Sequence, residues 1–346
     1  MTLRFMEGFE ANQTSAALVL KYPGATIDAG ASFVTGRLHG IALSSGDGLT
    51  TFTKVMPAAH DELVVGMALY VDNPYSVANI ELIAFYNGAT KVHTLELQAS
   101  GDDYQFVGKT GAGATIFTSA ATYTAGAYRY IEYKVDFETG ATGSYDLVVN
   151  EVSADSGSGV VTGTTNTTCD TVEINIRRDP GGDVRLDDIY GLDTAGGQRA
   201  DFLGDFVIEA ITVDAEGNQN DWTPSAGADN SDLVDDPLVN DGDTTYVSTE
   251  DNSDIDLYTY TDLAFIAANI LGIEVQIDAR IVTSGARNLQ VVHRHTDTVE
   301  TNSASVSVDD TAYKFYSAIF EQEPGGAADW TLGDLNGAEF GFESVA

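Results

Sequence analysis

The sequence predicts an all-β protein built from two β-sandwich (jelly-roll) domains in tandem. The clearest pattern lies at residues 128–152, where Tyr133, Val135 and Phe137 alternate with polar residues as in a half-buried antiparallel strand. A glycine-bearing turn follows, and the alternation then restarts, which predicts a hairpin. No segment before residue 200 sustains a helical period. Glycine (35 residues) far outnumbers proline (7), as expected where many short strands need turns.

Apolar runs of strand length recur on both sides of this hairpin. In the first half of the chain, strands are predicted at residues 3–9, 17–22, 31–38, 50–55, 62–71, 79–87, 91–98, 103–107, 114–118, 168–177 and 185–192. Asn87-Gly88 is typical of a two-residue hairpin turn, because both residues accept a positive φ. Such a series of short strands predicts a sandwich or jelly roll.

Three segments carry a resemblance to a known fold. They are residues 5–10 (FMEGFE), the central hairpin with 130–133 (YIEY), 143–145 (GSY) and Asn150, and residues 187–190 (DDIY). Together they resemble the concanavalin-like, laminin-G-like jelly roll over about residues 1–195. The resemblance implies the fold but no particular function, since this fold hosts lectins, enzymes and inert modules.

A change in charge marks the predicted domain boundary. Acidic residues are distributed along the whole chain, but most of the net negative charge lies beyond residue 200. We therefore predict a jelly-roll domain at 1–195, a linker at 196–204 and an acidic β-sandwich domain at 205–346. Strands in the second domain are predicted at residues 205–213, 254–263, 272–282, 287–295, 304–308, 312–320 and 338–345, with a turn or 3₁₀ segment at 330–335.

The second half also carries a resemblance. Residues 202–205 (FLGD), 222–225 (WTPS), 243–247 (DTTYV) and Trp330 resemble structural proteins of tailed bacteriophages. This implies a virion component exposed on the particle as capsid decoration, fibre or tail protein, assembled in the host cytoplasm. Its implied partners are other virion proteins and further copies of itself, with a trimer as the first expectation by analogy. The resemblance supplies no catalytic or ligand residues.

Composition excludes several classes of partner. Lysine and arginine total 16 against 53 aspartates and glutamates, for a net charge of −37. Nucleic acids and anionic membranes need a basic surface, so neither is an expected partner. Cys169 is the single cysteine, which excludes an intrachain disulfide. The N-terminal residues lack the apolar region of a signal peptide, and no membrane-inserted segment is expected.

Two groups of residues in the acidic half are candidate binding residues. Asp235, Asp236, Asp241 and Asp243 place hard oxygen ligands close together in one loop, so Ca²⁺ is the candidate ion. Their spacing does not match an EF-hand. Trp222 and Tyr246 are candidates for stacking against a glycan, although such residues are more often core or interface anchors.

Two further patterns are weaker. His293 and His295 share one strand face and provide two metal ligands, fewer than the three or four of a zinc site. Residues 173–177 (EINIR) lack the paired carboxylates of a glucanase strand. The chain is therefore expected to be a structural protein and not an enzyme. The alternative is a lectin-like host adhesin that binds a glycan, either with or without Ca²⁺. A glycan hydrolase is the third hypothesis.

The outward residues of the central hairpin, Glu132, Lys134 and Asp136, have mixed charge and show no catalytic pattern. We therefore expect any binding function to lie in the loops or in the acidic second domain.

Overall fold

The structure is almost entirely antiparallel β-structure, which confirms the predicted fold class. This computed structural model describes residues 2–38, 40–73, 80–177, 182–193, 196, 199, 201–227, 229–236, 240–263, 269–283, 285, 287–295, 298–323 and 328–346, with the backbone alone at 298–302. The chain divides into two compact units, residues 1–209 (unit 1) and 210–346 (unit 2). Among the helices of the described residues, none has the length and apolar character that a membrane span needs.

Unit 1 is a sandwich of two antiparallel sheets, and its described residues include the helix α1 (Ser15–Lys21). Its strands are β1 (Thr2–Glu7), β2 (Ser32–Thr35), β3 (Ile41–Ser44), β4 (Leu49–His60), β5 (Glu62–Val71), β6 (Ile80–Asn87), β7 (Thr90–Ser100), β8 (Asp103–Thr110), β9 (Thr115–Thr118), β10 (Tyr123–Thr124), β11 (Tyr128–Asp136), β12 (Gly143–Val149), β13 (Val152–Val160), β14 (Cys169–Arg177) and β15 (Val184–Asp193). Sheet 1 has the order β13-β12-β11-β5-β15-β3-β2, with β1 also paired to β15, and sheet 2 has the order β10-β8-β7-β6-β14-β4, with β9 paired to β8.

The predicted central hairpin is confirmed as β11 and β12, which pair in register from Ile131↔Val149 to Asp136↔Ser144. Its inward residues, among them Tyr133, are fully buried in the core between the two sheets. The alternation of apolar and polar residues thus orients the hairpin in sheet 1, because successive side chains point to opposite faces.

One predicted strand is wrong. Residues 17–22 lie in and just after α1, whose first turn is capped by the Thr14 hydroxyl accepting from the Ala17 amide at 3.1 Å. Leu18 and Tyr22 are four residues apart, so they share a helix face, and both are buried. The run ALVLKY has no polar alternation, so helix and strand could not be separated by period alone.

The strand predicted at 205–213 is also wrong for residues 205–212. These residues belong to no described strand, and β16 begins at Val213. Their backbone instead bonds to side chains of unit 1: the Ile208 amide donates to Asp188 Oδ1 at 2.8 Å, and the Phe206 carbonyl accepts from Arg37 at 2.8 Å. The boundary between the two units, at 209/210, accordingly falls five residues after the end of the predicted linker. Within that linker, residues 196, 199 and 201–204 are described.

Unit 2 is a second β-structure with its own core. Its elements are β16 (Val213–Asn220), β17 (Thr223–Pro224), β18 (Val247–Ser248), β19 (Ile255–Tyr260), β20 (Ile273–Ala279), β21 (Arg287–His295), β22 (Thr298–Asn302), β23 (Val306–Val308), β24 (Lys314–Phe320), β25 (Ala338–Val345) and the helix α2 (Leu332–Asn336), with a 3₁₀ turn at Ser231–Leu233. Sheet 3 has the order β16-β19-β25-β21-β22, with β23 paired to β21, and β17–β18 and β20–β24 form two further pairs. The β20–β24 pair packs on sheet 3 through Val275, Phe320 and Phe340. Where a turn or 3₁₀ segment was predicted, α2 forms because Thr331 and Asp334 build a capping box.

A buried ion pair fixes α1 to β1. Lys21 Nζ lies 3.1 Å from Glu7 Oε2 and donates to the Met6 carbonyl at 2.8 Å, and both charged side chains are 1% exposed. Glu7 also accepts from the Phe9 amide at 2.8 Å. The helix therefore depends on a charge that has little contact with water.

The Lys21→Met substitution is expected to lower the unfolding free energy of unit 1 by about 3–5 kcal/mol, since it leaves the Glu7 carboxylate buried without its cation. Lys91→Met is the matched control, because the Lys91–Glu81 pair is partly exposed and is expected to contribute less than about 1 kcal/mol. Both tryptophans lie in unit 2, so tryptophan fluorescence would report the unfolding of that unit. Hydrogen–deuterium exchange of β5 and β11 peptides in denaturant measures the unfolding of unit 1. Equal losses in the two variants would contradict the prediction.

Candidate functional site

Polar and aromatic side chains cross the outer face of sheet 1 in rows over β11, β5 and β15. The central row is Glu132, Gly66 and Tyr190, and the next is Tyr130, Ala68 and Asp187. A Cβ on Gly66 would overlap the Tyr190 ring. Small residues in the middle strand therefore let the larger side chains of both neighbours lie flat over it.

An arginine and two aspartates form the centre of this face. The Arg37 amide donates to Asp187 Oδ2 at 2.8 Å, and its guanidinium donates to Asp188 Oδ2 at 3.1 and 3.3 Å. The same guanidinium lies over the Tyr130 ring, 5.1 Å from its centroid. The two aspartates are almost fully buried, so Arg37 compensates charge that water does not reach.

A β-bulge places both aspartates on the same side. The pairing of β15 with β5 shifts between Asp187 and Tyr190, and Asp188 has a φ of +50°. A left-handed conformation is unfavourable for a residue with a Cβ and is found mainly where surrounding contacts enforce it. Here those contacts are the Arg37 pair and the Ile208 amide.

Glu10 adds a third carboxyl near the pair. Its Oε1 accepts from the Ile41 amide at 3.0 Å, and a Cβ on Gly40, which has a φ of +64°, would overlap the carboxyl. Burial, with a smaller effect from the charges of Asp187 and Asp188, raises the pKa of Glu10 to about 9. This carboxyl is therefore protonated at neutral pH.

The two aspartates also hold protons unusually well. Burial and the charge of Asp188 raise the pKa of Asp187 to about 7, and burial raises the pKa of Asp188 to about 6 despite the opposing effects of Ile208 and Arg37. Ionisable groups whose environments move them close to neutral pH are suited to proton transfer.

Residues 201–208, here called the covering segment, lie over this face. The Gly204 amide donates to Glu132 Oε1 at 2.9 Å, and the Leu203 amide donates to the Tyr190 hydroxyl at 3.2 Å. Tyr190 in turn donates to Glu132. Burial raises the pKa of Glu132, while these donors oppose the rise.

Two cations fasten the covering segment. Arg37 pairs with Asp205, and Lys134 Nζ pairs with Asp201 Oδ1 at 2.9 Å. Lys134 also lies 5.3 Å from the centroid of the Phe202 ring. The charged side chains of Asp201 and Asp205 are half exposed, so this fastening is open to competition from solvent and ions.

Beyond the covering segment, the row Tyr128, Tyr70 and Arg185 forms one end of the same face. The two tyrosine rings have centroids 5.3 Å apart, and the Arg185 guanidinium lies 4.8 Å from the Tyr70 centroid. All three side chains are partly exposed. This aromatic end combines flat apolar surface with hydrogen-bonding groups on rigid strands.

The structure does not bring the predicted calcium ligands together around a common point. Asp241 accepts from Thr245 at 3.2 and 2.9 Å, and Asp236 accepts from the Asp241 amide at 3.2 Å. Asp243 pairs with Arg280 at 2.7 Å. Asp235 is exposed. These bonds organise the loop through its own donors, and bound Ca²⁺ stays a prediction.

The predicted stacking residues lie in unit 2. Trp222 packs edge-on against Phe342 with centroids 4.8 Å apart, and its indole donates to the Asp254 carbonyl at 3.1 Å. It is thus partly a core residue. Tyr246 is 38% exposed and bonds through its amide to Ser225. His293 is buried against Phe320 and Phe340, and burial lowers its pKa to about 4.

No site was expected from the outward hairpin residues, and that expectation stays a prediction; Glu132 nevertheless is 1% exposed and belongs to the polar face. Arg37, Glu10 and Tyr190 were not singled out from the sequence. A usable signal was the pair Asp187–Asp188 within an otherwise apolar strand, since one of two successive strand residues faces the core unless a bulge turns it away.

No family model matches the chain, and no curated protein matches it. Solved structures that it resembles include a marine alginate lyase from Aplysia kurodai (12% identity, TM-score 0.44, covering 56% of this chain and 100% of that one). An endo-β-1,4-glucuronan lyase from Trichoderma reesei has 11% identity and a TM-score of 0.40, covering 56% and 96%. Domain 4 of an extracellular arabinanase from Geobacillus stearothermophilus, solved with arabinotriose, has 12% identity and a TM-score of 0.39, covering 56% and 92%.

These structures correct the prediction that the chain is not an enzyme. Two of the three are polysaccharide lyases. The sequence-based exclusion tested one motif of one reaction class, and the carboxyls of the outer face lie outside that motif.

The raised carboxyl pKa values predict a pH-dependent stability. The folded state binds the Asp187 proton more tightly than the unfolded chain, so this group favours folding at low pH. That contribution is lost as pH rises from about 4 towards 7. Asparagine does not titrate, so the Asp187→Asn variant does not lose this contribution to stability as pH rises. The unfolding free energy of the variant minus that of the wild type is therefore expected to increase with pH across this range. Hydrogen exchange of β5 and β11 peptides in denaturant at several pH values measures the difference.

Asp102→Asn, at an exposed turn of unit 1, is the control and should give a curve parallel to the wild type. A parallel curve for Asp187→Asn as well would contradict the raised pKa.

Proposed function

We propose that unit 1 binds a polysaccharide along the outer face of sheet 1, at the aromatic end formed by Tyr70, Tyr128 and Arg185. The observation that carries the proposal is the pairing of two partly exposed tyrosine rings with a guanidinium on three adjacent strands. Sugar rings present apolar C–H faces bordered by hydroxyl groups. Tyrosines supply a flat surface for such faces together with a polar handle, and strands hold them rigidly.

Hydrogen-bonding groups surround these rings. Asp72 accepts from the Tyr70 hydroxyl at 3.3 Å, and Asp183 pairs with Arg185 at 3.1 Å. The Arg185 guanidinium also lies beside the Tyr128 hydroxyl, and the two side chains interact. Both tyrosine hydroxyls therefore have a charged neighbour at this end of the face.

This proposal develops the alternative reading of the sequence, a glycan-binding protein. Its site is a sheet face of unit 1, and not the loops of the jelly roll or Trp222 and Tyr246 of the second domain. A host-surface glycan as the ligand is the finer form of the same proposal. The virion setting, the virion partners, the trimer and the resemblance to phage structural proteins stay predictions.

Tyr70→Ala and Tyr128→Ala are each expected to weaken polysaccharide binding about tenfold or more, because an aromatic contact and its buried area contribute at least about 1.4 kcal/mol. Affinity electrophoresis of the full chain through a panel of neutral and uronic-acid polysaccharides identifies the ligand and measures the change. Tyr246→Ala is the matched control, since it removes an exposed tyrosine from unit 2. Loss of binding in Tyr246→Ala alone would assign the site to unit 2 and overturn the proposal.

A second function, cleavage of the bound polysaccharide, is favoured by the proton-binding groups beneath the covering segment. Asp187 and Asp188 have pKa values of about 7 and 6, beside an arginine and Tyr130. A carboxyl that exchanges its proton near neutral pH can act as a general acid or base. The covering segment lies over these groups, so cleavage at this site requires its displacement.

For this second function, incubation of the full chain with any polysaccharide that it binds is expected to release new reducing ends. Asp187→Asn should reduce the rate about 100-fold or more, the usual contribution of a general acid or base, with binding retained. Asp102→Asn should leave the rate unchanged. If binding occurs without new reducing ends, the cleavage proposal fails and the binding proposal stands.

A further inference from the structure

Three side chains from separate elements of unit 2 converge near one point. They are His295 at the end of β21, Glu323 after β24 and Asp334 in α2, and one ligand-type atom from each lies within 4.8 Å of the other two. A search of the described residues for three or more His, Cys, Asp or Glu side chains that could share a metal ion finds this group. We propose that it binds a zinc-type divalent ion, with His295, Glu323 and Asp334 as ligands.

The separation of His295 and Asp334 fits a shared ion. Their Nε2 and Oδ1 atoms are 3.4 Å apart, which is longer than a typical charge-assisted hydrogen bond of about 2.7–2.9 Å. Two ligands that are each about 2.1 Å from a tetrahedral ion lie about 3.4 Å from one another. The observed distance therefore fits a tetrahedral ion bound by both side chains.

Asp334 is oriented for this role by its own capping box. Its Oδ2 accepts from the Thr331 hydroxyl at 2.6 Å and from the Thr331 amide at 3.1 Å, and Oδ1 is the atom nearest His295. Metal-binding carboxylates are commonly held by such outer hydrogen bonds, which fix the orientation of the ligand atom.

The other two ligands stand on ordered backbone. His295 pairs with Ala338 at the start of β25, in a cross-strand register that runs on to Asn288 and Val345. The Glu323 amide donates to the Ala328 carbonyl at 3.2 Å, and its side chain can rotate to close the remaining distance. Nearby, the Trp330 indole donates to the Phe320 carbonyl at 3.1 Å, joining the two segments that carry Glu323 and Asp334.

The donor set indicates the class of ion. One imidazole and two carboxylates suit Zn²⁺ and neighbouring first-row ions, whereas Ca²⁺ takes six to eight oxygen ligands. Three protein ligands leave a tetrahedral ion with one position for water or a ligand group. Because the ligands come from β21, α2 and the segment after β24, the ion would also join the β20–β24 pair to sheet 3.

The test uses the full chain after removal of metal by a chelator. Titration with Zn²⁺ in a calorimeter is expected to show one site per chain, with an increase in the melting temperature of unit 2. Titration with Co²⁺ is expected to give the visible absorption of a tetrahedral cobalt site. Glu323→Gln should weaken binding of both ions at least about tenfold, as loss of even an outer partner does so.

Glu323 lies outside helices and strands, so Glu323→Gln tests the site without disturbing the capping box. Asp235→Asn is the matched control, because it removes one charge from the acidic loop of the same unit and should leave Zn²⁺ affinity unchanged. Equal Zn²⁺ affinity in the wild type and Glu323→Gln would overturn the proposal, as would binding of Ca²⁺ in place of Zn²⁺.

Discussion

The ion pair of Arg37 with Asp188 is the interaction on which the outer face of sheet 1 depends. It joins the segment after β2, the bulge of β15 and the covering segment, since Arg37 also bonds to Asp205 and to the Phe206 carbonyl. Carboxylates that are withdrawn from water are stable only when paired or protonated. Arg37 supplies the pairing, and the raised pKa values of the neighbouring carboxyls show that one cation does not compensate all of them.

The same constraint relates packing to function. The Tyr190 ring can lie over β5 because Gly66 has no side chain, and Glu132 beside it is then covered and bonded by Gly204. The covered part of the face therefore holds proton-binding groups, while the aromatic end remains partly exposed. Binding and proton transfer would thus occupy adjacent parts of one sheet, with the covering segment between solvent and the acidic groups.

Unit 2, which has the larger net negative charge, stabilises a buried carboxylate in another way. Asp256 is fully buried, and it accepts from the Trp222 amide, from Asn230 and from the Tyr258 hydroxyl at 2.7–2.8 Å. These bonds attach Trp222 and Asn230 to β19. Most other described carboxylates of residues 221–251 lie at the surface, where their combined negative charge attracts cations in general. The specific convergence at His295 arises instead where an imidazole and two carboxylates are brought together by three elements.

The sequence by itself determined the all-β class and most strands of both units, since alternation is a local property set by the two faces of each strand. Residues 128–152 are the clearest case. The helix at Ser15–Lys21 was missed because a short apolar run fits both periods. The helix forms because Thr14 caps its first turn and because its buried residues share one face. The site was not predictable in the same way. Glu132 reads as a solvated residue in its strand, and only tertiary structure placed the covering segment over it. The alternation of residues along a strand determines which face of the sheet a side chain takes. It does not determine whether that face is covered, because the covering segment comes from a distant part of the chain.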